Sequence, residues 1–465
     1  LGQYTIASST ASFFELGGTS LMAMSLVHRL KAELGVELTV DSLYKNSSVE
    51  YVASLVRDAE PDSRALQEKS STALVRTSKV APGWLKERVF VPTVGQQGLY
   101  YLWKMNPQAT NYSVPRYAST SGDVKTTRFT IEQTVQRHAL LRAVFFESDV
   151  VLCTSLEWAK MRSRMILGSL DGLAQEVRTM WEEFVGEPWD LSKVCTRFRI
   201  VSIKKGMTQS IAYFENLHHI VTDEWSSAVL ARELSNAAVL GQEIVSRLTQ
   251  RSHNGSVAEY AEFAAWEAQV LRESGEELKA WWLAELAGAE PLKLEVPRAK
   301  QNTQSRYGMM VQYVVREPDV RAARELCAEL GVTLFAYAQA AYARWAYSLV
   351  HRDVLAVGPH GRREDARFAN TVGYFLNMLV YRYRSAWMEP TARNARDLLQ
   401  HSWAVIRGAH QRSAYPFSWV TRDLGIAAAD LMMGSFAFVT TSSEGTEERV
   451  AHGSRIPSAL ASMKS

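Results

Sequence analysis

The sequence is poor in most of what marks a secreted, metal-bound or nucleic-acid-binding protein. Cysteine occurs three times in 465 residues, at Cys153, Cys195 and Cys327. No two of these stand at a metal-ligand spacing. An odd, sparse set of thiols makes no disulfide framework and fits a reducing compartment, so the expected location is the cytoplasm. No apolar run approaches the ~18 to 20 residues that span a bilayer, and no membrane partner is expected. The chain does not open on a basic stretch followed by an apolar one, so no secretory signal is read. Leu1 is not a natural start either, and the chain reads as a piece of something longer. A net charge of +3 is too small to call for nucleic acid. What remains is a chain with 47% hydrophobic and 22% charged residues, the composition of a folded soluble protein. Its length calls for two or three domains.

The charge is unevenly spread. Residues 1–60 hold four basic groups (Arg29, Lys31, Lys45, Arg57) against seven acidic ones, a net of −3, and the rest of the chain carries +6. This first stretch reads as a small all-α helical unit. After Ser20, the residues Leu21, Met24, Val27 and Leu30 recur at three-residue steps, one face of a helix. Gly35 ends it. A last helix runs from Ser48 to Val56, with Ser47 or Ser48 as its cap. Taken locally, Ser20 is a helix cap; the alternative is an exposed hydroxyl to which something is attached. Residues 61–88, with Pro61, Pro82 and Gly83 and no sustained period, are a linker.

From residue 89 an α/β unit follows. Gln96 to Trp103 and Thr130 to Phe145 are expected as helices. Arg197 to Ile203 alternates like a strand, and Met207 to Phe214 is its antiparallel partner across Lys204-Lys205-Gly206. Two helices are expected over 257–271 and 276–286, then a strand over 306–315. Helices follow over 320–330, capped by Asp319, and over 333–349. Later strands are expected over 354–357, 376–383 and 436–440. The parse is two lobes, 89–255 and 256–465.

The second strand runs into Asn216-Leu217-His218-His219-Ile220-Val221-Thr222-Asp223-Glu224-Trp225-Ser226. Adjacent side chains at a strand end point to opposite sides, so one histidine can face a cavity while the other braces the loop. Histidine is suited to take up a proton near neutral pH. Asp223 can fold back onto the loop or pair with a distant arginine. Adjacent histidines are not the i,i+4 pair that hydrolytic zinc sites favour, and no metal is expected.

Two family resemblances enter here. Phe13-Phe14-Glu15-Leu16-Gly17-Gly18-Thr19-Ser20-Leu21, with the amphipathic helix after it, resembles the thiolation (peptidyl carrier) domains of nonribosomal peptide synthetases. The resemblance implies that Ser20 carries 4′-phosphopantetheine, with the domain's first helix truncated. The stretch from 89 onward resembles condensation domains of the chloramphenicol acetyltransferase superfamily. It does so through Gln96-Gln97-Gly98-Leu99-Tyr100, Arg137-His138-Ala139-Leu140-Leu141-Arg142, Pro188-Trp189-Asp190-Leu191, the His218-to-Ser226 loop, Tyr260 to Trp266, Gly358-Pro359-His360-Gly361-Arg362 and Gly373-Tyr374-Phe375-Leu376-Asn377.

The implied fold is a pair of acetyltransferase-like α/β lobes in a V. The implied reaction joins a donor acyl or peptidyl thioester to the amine of an acceptor aminoacyl thioester, an amide-bond-forming acyl transfer. His219 is then the residue beside the reacting groups, with His218 and Asp223 holding the loop and Arg362 a partner for Asp223. Glu224, standing where the family has glycine, joins Trp225 and Arg362 as tunnel residues. The implied partners are an acceptor carrier downstream, neighbouring synthetase modules with their adenylation domains, and a phosphopantetheinyl transferase. Two rival readings share the fold: a non-catalytic platform for a carrier-bound chain, and an epimerase-like domain.

Overall fold

The computed structural model describes residues 48–58, 89–120, 123–146, 150–152, 160–167, 170–205, 208–235, 259–293, 313–389, 395–432 and 434–438, with isolated positions between 26 and 46. Ser20 and its Gly-Gly-Thr-Ser-Leu core lie outside these residues. Of the first sixty residues, the helix Val49–Asp58 is described. Ser48 is its cap: its Oγ accepts the Tyr51 N–H at 3.2 Å. From residue 89 on, the described chain falls into two compact units. One runs to Glu273 and takes back the later segment Arg367–Leu376; the other comprises Ser274–Ala366 and Asn377–Thr441.

The first unit is built on a four-stranded sheet. Strands β1 (Val89–Phe90), β2 (Ser113–Thr120), β3 (Ala143–Phe145), β4 (Val150–Leu152), β5 (Lys160–Leu167), β6 (Thr196–Lys205) and β7 (Thr208–His218) form two sheets, ordered β2-β7-β6-β5 and β1-β4-β3. The expected hairpin is present: β6 and β7 pair antiparallel from Thr196 opposite Leu217 to Lys205 opposite Thr208. β5 lies parallel on the far side of β6.

The period-two pattern sorts the side chains of the sheet. Ile211, Tyr213, Leu217, Phe198 and Ile200 join a core with Ile131, Leu141, Phe145 and Phe375. Phe214 and Val201 meet Trp181, Phe184, Met180 and Val177, all from the helix Leu170–Gly186. Each such fully buried side chain contributes roughly 1.5–3 kcal/mol, which fixes the register of β7 and so the place where it ends. A buried ion pair reinforces that register. Arg116 faces Glu215 across β2 and β7, its guanidinium holds both carboxylate oxygens at 2.7 Å, and it also donates to the Ser227 carbonyl.

The helix expected over 130–145 is three elements: a helix Val124–Arg137, a 3-10 turn Ala139–Arg142 and strand β3. Long-range partners override the local pattern. His138 leaves the helix at φ −101° and ψ 94° with its Nε2 3.0 Å from Glu233, and the Phe145 N–H donates to the Leu191 carbonyl.

In the second unit, the helices Leu334–Val350 and Ala395–His410 accompany β8 (Val354–Gly361) and β9 (Leu376–Tyr383). Ser402 Oγ donates to the Ala336 carbonyl, and Tyr383 OH donates to Gln339 Oε1, both at 2.8 Å. The two helices expected on either side of Gly275 are one, Tyr260–Glu285. Gly275 has no neighbour to meet, and its cost of about 1 kcal/mol in a helix interior does not break a helix this long. The next helix begins at Glu317, with Arg316 rather than Asp319 in the position before its first turn and no side-chain cap there; Asp319 lies in the first turn and pairs with Arg316 at 2.8 Å. Thr333 caps the Leu334–Val350 helix by accepting the Ala336 N–H. Of the strand expected over 306–315, the described residues 313–315 are not extended in a sheet, and of that expected over 436–440 the described residues 436–438 lie in no strand; the preceding Ser435 makes an isolated bridge to Val357. No helix among the described residues is long and apolar enough to cross a membrane.

Candidate active site

Strand β7 ends at His218, and the chain turns at once through the 3-10 turn His219–Val221 into a helix over 224–235. This sharp turn splits the two imidazoles. His218 keeps the strand parity of Phe214 and Asn216 and is 2% exposed. Its Nδ1 accepts the Ile220 N–H at 3.1 Å, and its ring meets Trp189 edge-on at 5.7 Å. Burial above all, then the neighbouring His219 and Arg197, pushes its pKa down to about 3. His218 is therefore neutral and caps the turn.

His219 is half-buried. Its Nδ1 lies 2.8 Å from the Thr222 carbonyl oxygen. A carbonyl can only accept, so Nδ1 carries the hydrogen and the neutral ring keeps its lone pair on Nε2. The ring stands at 84° to that of Tyr374, 5.6 Å between centroids. Such a group can accept a hydrogen bond, or a proton, from a nucleophile brought against Nε2.

Asp223 is 1% exposed and its carboxylate is divided between two backbone donors. Oδ1 accepts the Ser226 N–H at 2.7 Å, capping the 224–235 helix. Oδ2 accepts the Phe375 N–H at 3.1 Å. Ser226 Oγ, in turn, donates to the Gly373 carbonyl at 2.9 Å and accepts the Gly373 N–H at 3.0 Å. Trp225 Nε1 donates to the Ala369 carbonyl at 2.7 Å, and Arg232 to Asn370 Oδ1 at 2.8 Å. The segment Arg367–Leu376 is thus stitched to the loop and helix that follow His219. Its closest packing is at Gly373, where an added Cβ would stand 2.0 Å from the Tyr260 ring. Tyr260 OH donates to the Tyr374 carbonyl.

The Val94–Met105 helix closes the other side of the turn. Its Thr93 cap and Gln96 form a reciprocal capping box, and Gln96 Nε2 donates to the Ile220 carbonyl at 3.0 Å. Glu267 Oε2 accepts the Val94 N–H at 2.8 Å. Glu224 is exposed at the first position of the 224–235 helix, within electrostatic range of Arg116. Arg362 is 2% exposed and belongs to the second unit.

His218, His219, Asp223 and Trp225 are therefore brought together in one bonded network. Residue-by-residue reading passed over the roles of Thr222, Ser226, Tyr260 and Tyr374. Thr222 acts through its backbone and carries no side-chain signal. Tyr260 and Gly373-Tyr374 stand in stretches picked out by resemblance, without a partner named for them.

Known proteins match the chain along nearly all of its length. Residues 86–455 match the condensation domain family, and residues 5–56 match the phosphopantetheine attachment site. Tyrocidine synthase 3 of Brevibacillus parabrevis is 25% identical over 89% of the chain, and surfactin synthase subunit 1 of Bacillus subtilis (strain 168) is 26% identical over 80%. The chain spans 6% and 10% of those two proteins.

Among solved structures, the X-domain from teicoplanin biosynthesis superposes with a TM-score of 0.60 at 17% identity, covering 76% of each chain. The condensation domain from the monacolin K polyketide synthase MokA gives 0.57 at 15%, covering 73% of this chain and 76% of that one. These likenesses concern the fold. The attachment-site match makes 4′-phosphopantetheine the cofactor, held covalently by a serine. The chain belongs to the condensation domain family and carries a phosphopantetheine attachment domain before it, the pairing found in nonribosomal peptide synthetases.

Proposed function

We propose that this chain is a working acyltransferase: it joins a donor acyl or peptidyl thioester to the amine of an acceptor aminoacyl thioester, with His219 meeting the amine. The observation that carries this reading is the Nδ1–H bond from His219 to the Thr222 carbonyl, which leaves Nε2 with a lone pair on a half-buried ring. The amine nitrogen bonds to the donor carbonyl carbon and the carbon–sulfur bond breaks. The proton lost by nitrogen passes to Nε2 and on to the leaving sulfur, so atoms and charge balance. Fixing two reactants supplies much of the rate, and Nε2 orients the amine as well as accepting its proton. His218 stays neutral and braces the turn; Asp223 holds the loop.

Ser20 is the attachment serine in this reading. Once attached, the arm supplies a thiol that presents the donor chain as a thioester, because a carrier ahead of a condensation domain serves the donor side. Glu224 and Trp225, directly after the loop that carries His219, lie along the substrate path in this reading, and each of the two units is an acetyltransferase-like α/β lobe. The acceptor comes on a downstream carrier, amino acids come from adenylation domains of adjoining modules, and a phosphopantetheinyl transferase installs the arm. The operating compartment is the cytoplasm.

The test loads the chain with phenylalanyl-coenzyme A through a phosphopantetheinyl transferase and offers leucyl-N-acetylcysteamine as acceptor. His219→Ala is expected to lower dipeptidyl product about 10²- to 10⁴-fold, the usual worth of a general base, while the mass gain on the chain persists. Ser20→Ala is expected to abolish that mass gain. Undiminished product from His219→Ala would refute the catalytic assignment.

A further inference from the structure

The hydrogen bond to Thr222 settles which nitrogen of His219 carries the hydrogen, yet it does not by itself hold the ring. One bond at Nδ1 leaves the imidazole free to swing about that contact, and Nε2, on the opposite side, moves most. A second restraint is needed for a base aimed at a fixed point, because small misplacements of a catalytic group are costly.

Tyr374 supplies it. Its ring stands edge-to-face with the His219 ring, at 84° and 5.6 Å, an arrangement favoured for aromatic pairs. Tyr374 has little room to retreat. An added Cβ at Gly95 would come within 2.9 Å of Tyr374 Cε1, so the ring already lies against the first turn of the Val94–Met105 helix. Its carbonyl accepts from Tyr260 OH. Its neighbours on both sides are pinned, Gly373 to Ser226 Oγ and Phe375 to Asp223 Oδ2. Asp223 and Ser226 lie on the same loop and helix as His219, so the restraints close a circuit. From His219 the chain leads to Asp223 and Ser226, hydrogen bonds lead across to Gly373 and Phe375, and the residue between these two faces His219 again.

We propose that Tyr374 is a positioning residue: its ring, clamped between Gly95 and His219, fixes the imidazole plane and thereby the direction of Nε2. The inference rests on the reading of His219 as the group that meets the amine, and it adds the residue that aims it. The aromatic face and edge do this work, so phenylalanine should serve at this position and an aliphatic side chain should not. Gly95 has a part in it as well: a methyl group there displaces the Tyr374 ring without changing its chemistry.

The experiment compares Tyr374→Phe, Tyr374→Leu and Gly95→Ala in the full chain, with phenylalanyl-coenzyme A for loading and leucyl-N-acetylcysteamine as acceptor. In parallel, ¹⁵N-histidine spectra report the His219 tautomer, with the His219 signal identified by its loss in His219→Gln. Tyr374→Leu and Gly95→Ala are expected to lower kcat about 10- to 100-fold with KM for the acceptor within about twofold of wild type. Both should also turn a single Nδ1–H signal for His219 into an exchanging mixture, and Tyr374→Phe should restore the single signal and most of the rate. An unchanged His219 signal in Tyr374→Leu overturns the proposal, as does a loss in Tyr374→Phe equal to that in Tyr374→Leu. Product from His219→Ala would sink the catalytic reading alone, since the spectra decide the positioning without turnover.

Discussion

Asp223 and Phe375, 152 positions apart in the sequence, are joined by a 3.1 Å hydrogen bond from the Phe375 N–H to Asp223 Oδ2. The other oxygen of the same carboxylate caps the 224–235 helix through Ser226. One side chain therefore sets both the start of that helix and the docking of the segment Arg367–Leu376.

Replacing Asp223 should loosen both at once. Asp223→Ala loses a cap worth about 1 kcal/mol and leaves the buried Phe375 N–H without its acceptor, a further ~1–3 kcal/mol. Asp223→Asn keeps one carbonyl oxygen and can serve only one of the two donors. Amide hydrogen exchange at Ser226 and Phe375 reads this directly. Protection should fall at both amides in the alanine variant and at one in the asparagine variant; full protection at both in Asp223→Ala would show that other contacts hold the segment.

Gly373 is required by space rather than by backbone conformation. A Cβ there would lie 2.0 Å from the Tyr260 ring, so Gly373→Ala must push Tyr260 off both Thr93 and the Tyr374 carbonyl. Overpacking of this kind costs about 1–3 kcal/mol. Thermal melts should show Gly373→Ala lower in Tm than wild type, and the pair Gly373→Ala with Tyr260→Leu losing less than the two separate losses together. Strict additivity would mean that the two residues do not collide.

His218 makes stability depend on pH. Its pKa is about 3 in the folded chain, below the ordinary value of 6.5, so below pH 6.5 the unfolded chain binds the extra proton. The stabilisation is complete above about pH 6.5 and falls as pH drops toward 3, by up to about 1.4 kcal/mol for each pH unit. His218→Gln removes this slope. The difference in urea midpoint between wild type and His218→Gln should change between pH 7 and pH 4.5, the wild type losing more; a constant difference would contradict the buried neutral assignment.

Much of this was open to reading in the sequence wherever the signal is local. Alternation gave the β6–β7 hairpin, and the loop after it stood out by its titratable groups. Leu376–Tyr383 was also legible as a strand. The misreadings fall where a distant partner or a tolerated residue decides. His138 leaves its helix for Glu233, and Gly275, between the two helices expected over 257–271 and 276–286, stays inside a single one. The site divides in the same way. Two histidines and an aspartate announce themselves as chemistry, whereas Tyr374 is an ordinary aromatic until the fold sets it against His219.

The hydrogen-bond acceptor for His219 Nδ1 is a peptide carbonyl, that of Thr222, and this determines what a mutational scan can reveal. Thr222→Ala leaves the carbonyl in place, so side-chain scanning does not test the loop's orienting group. Only backbone chemistry reaches it: an ester in place of the amide between residues 222 and 223 leaves a weaker acceptor. The same feature keeps the tautomer independent of any second titrating group, since a peptide carbonyl has no proton to gain or lose across the working range of pH.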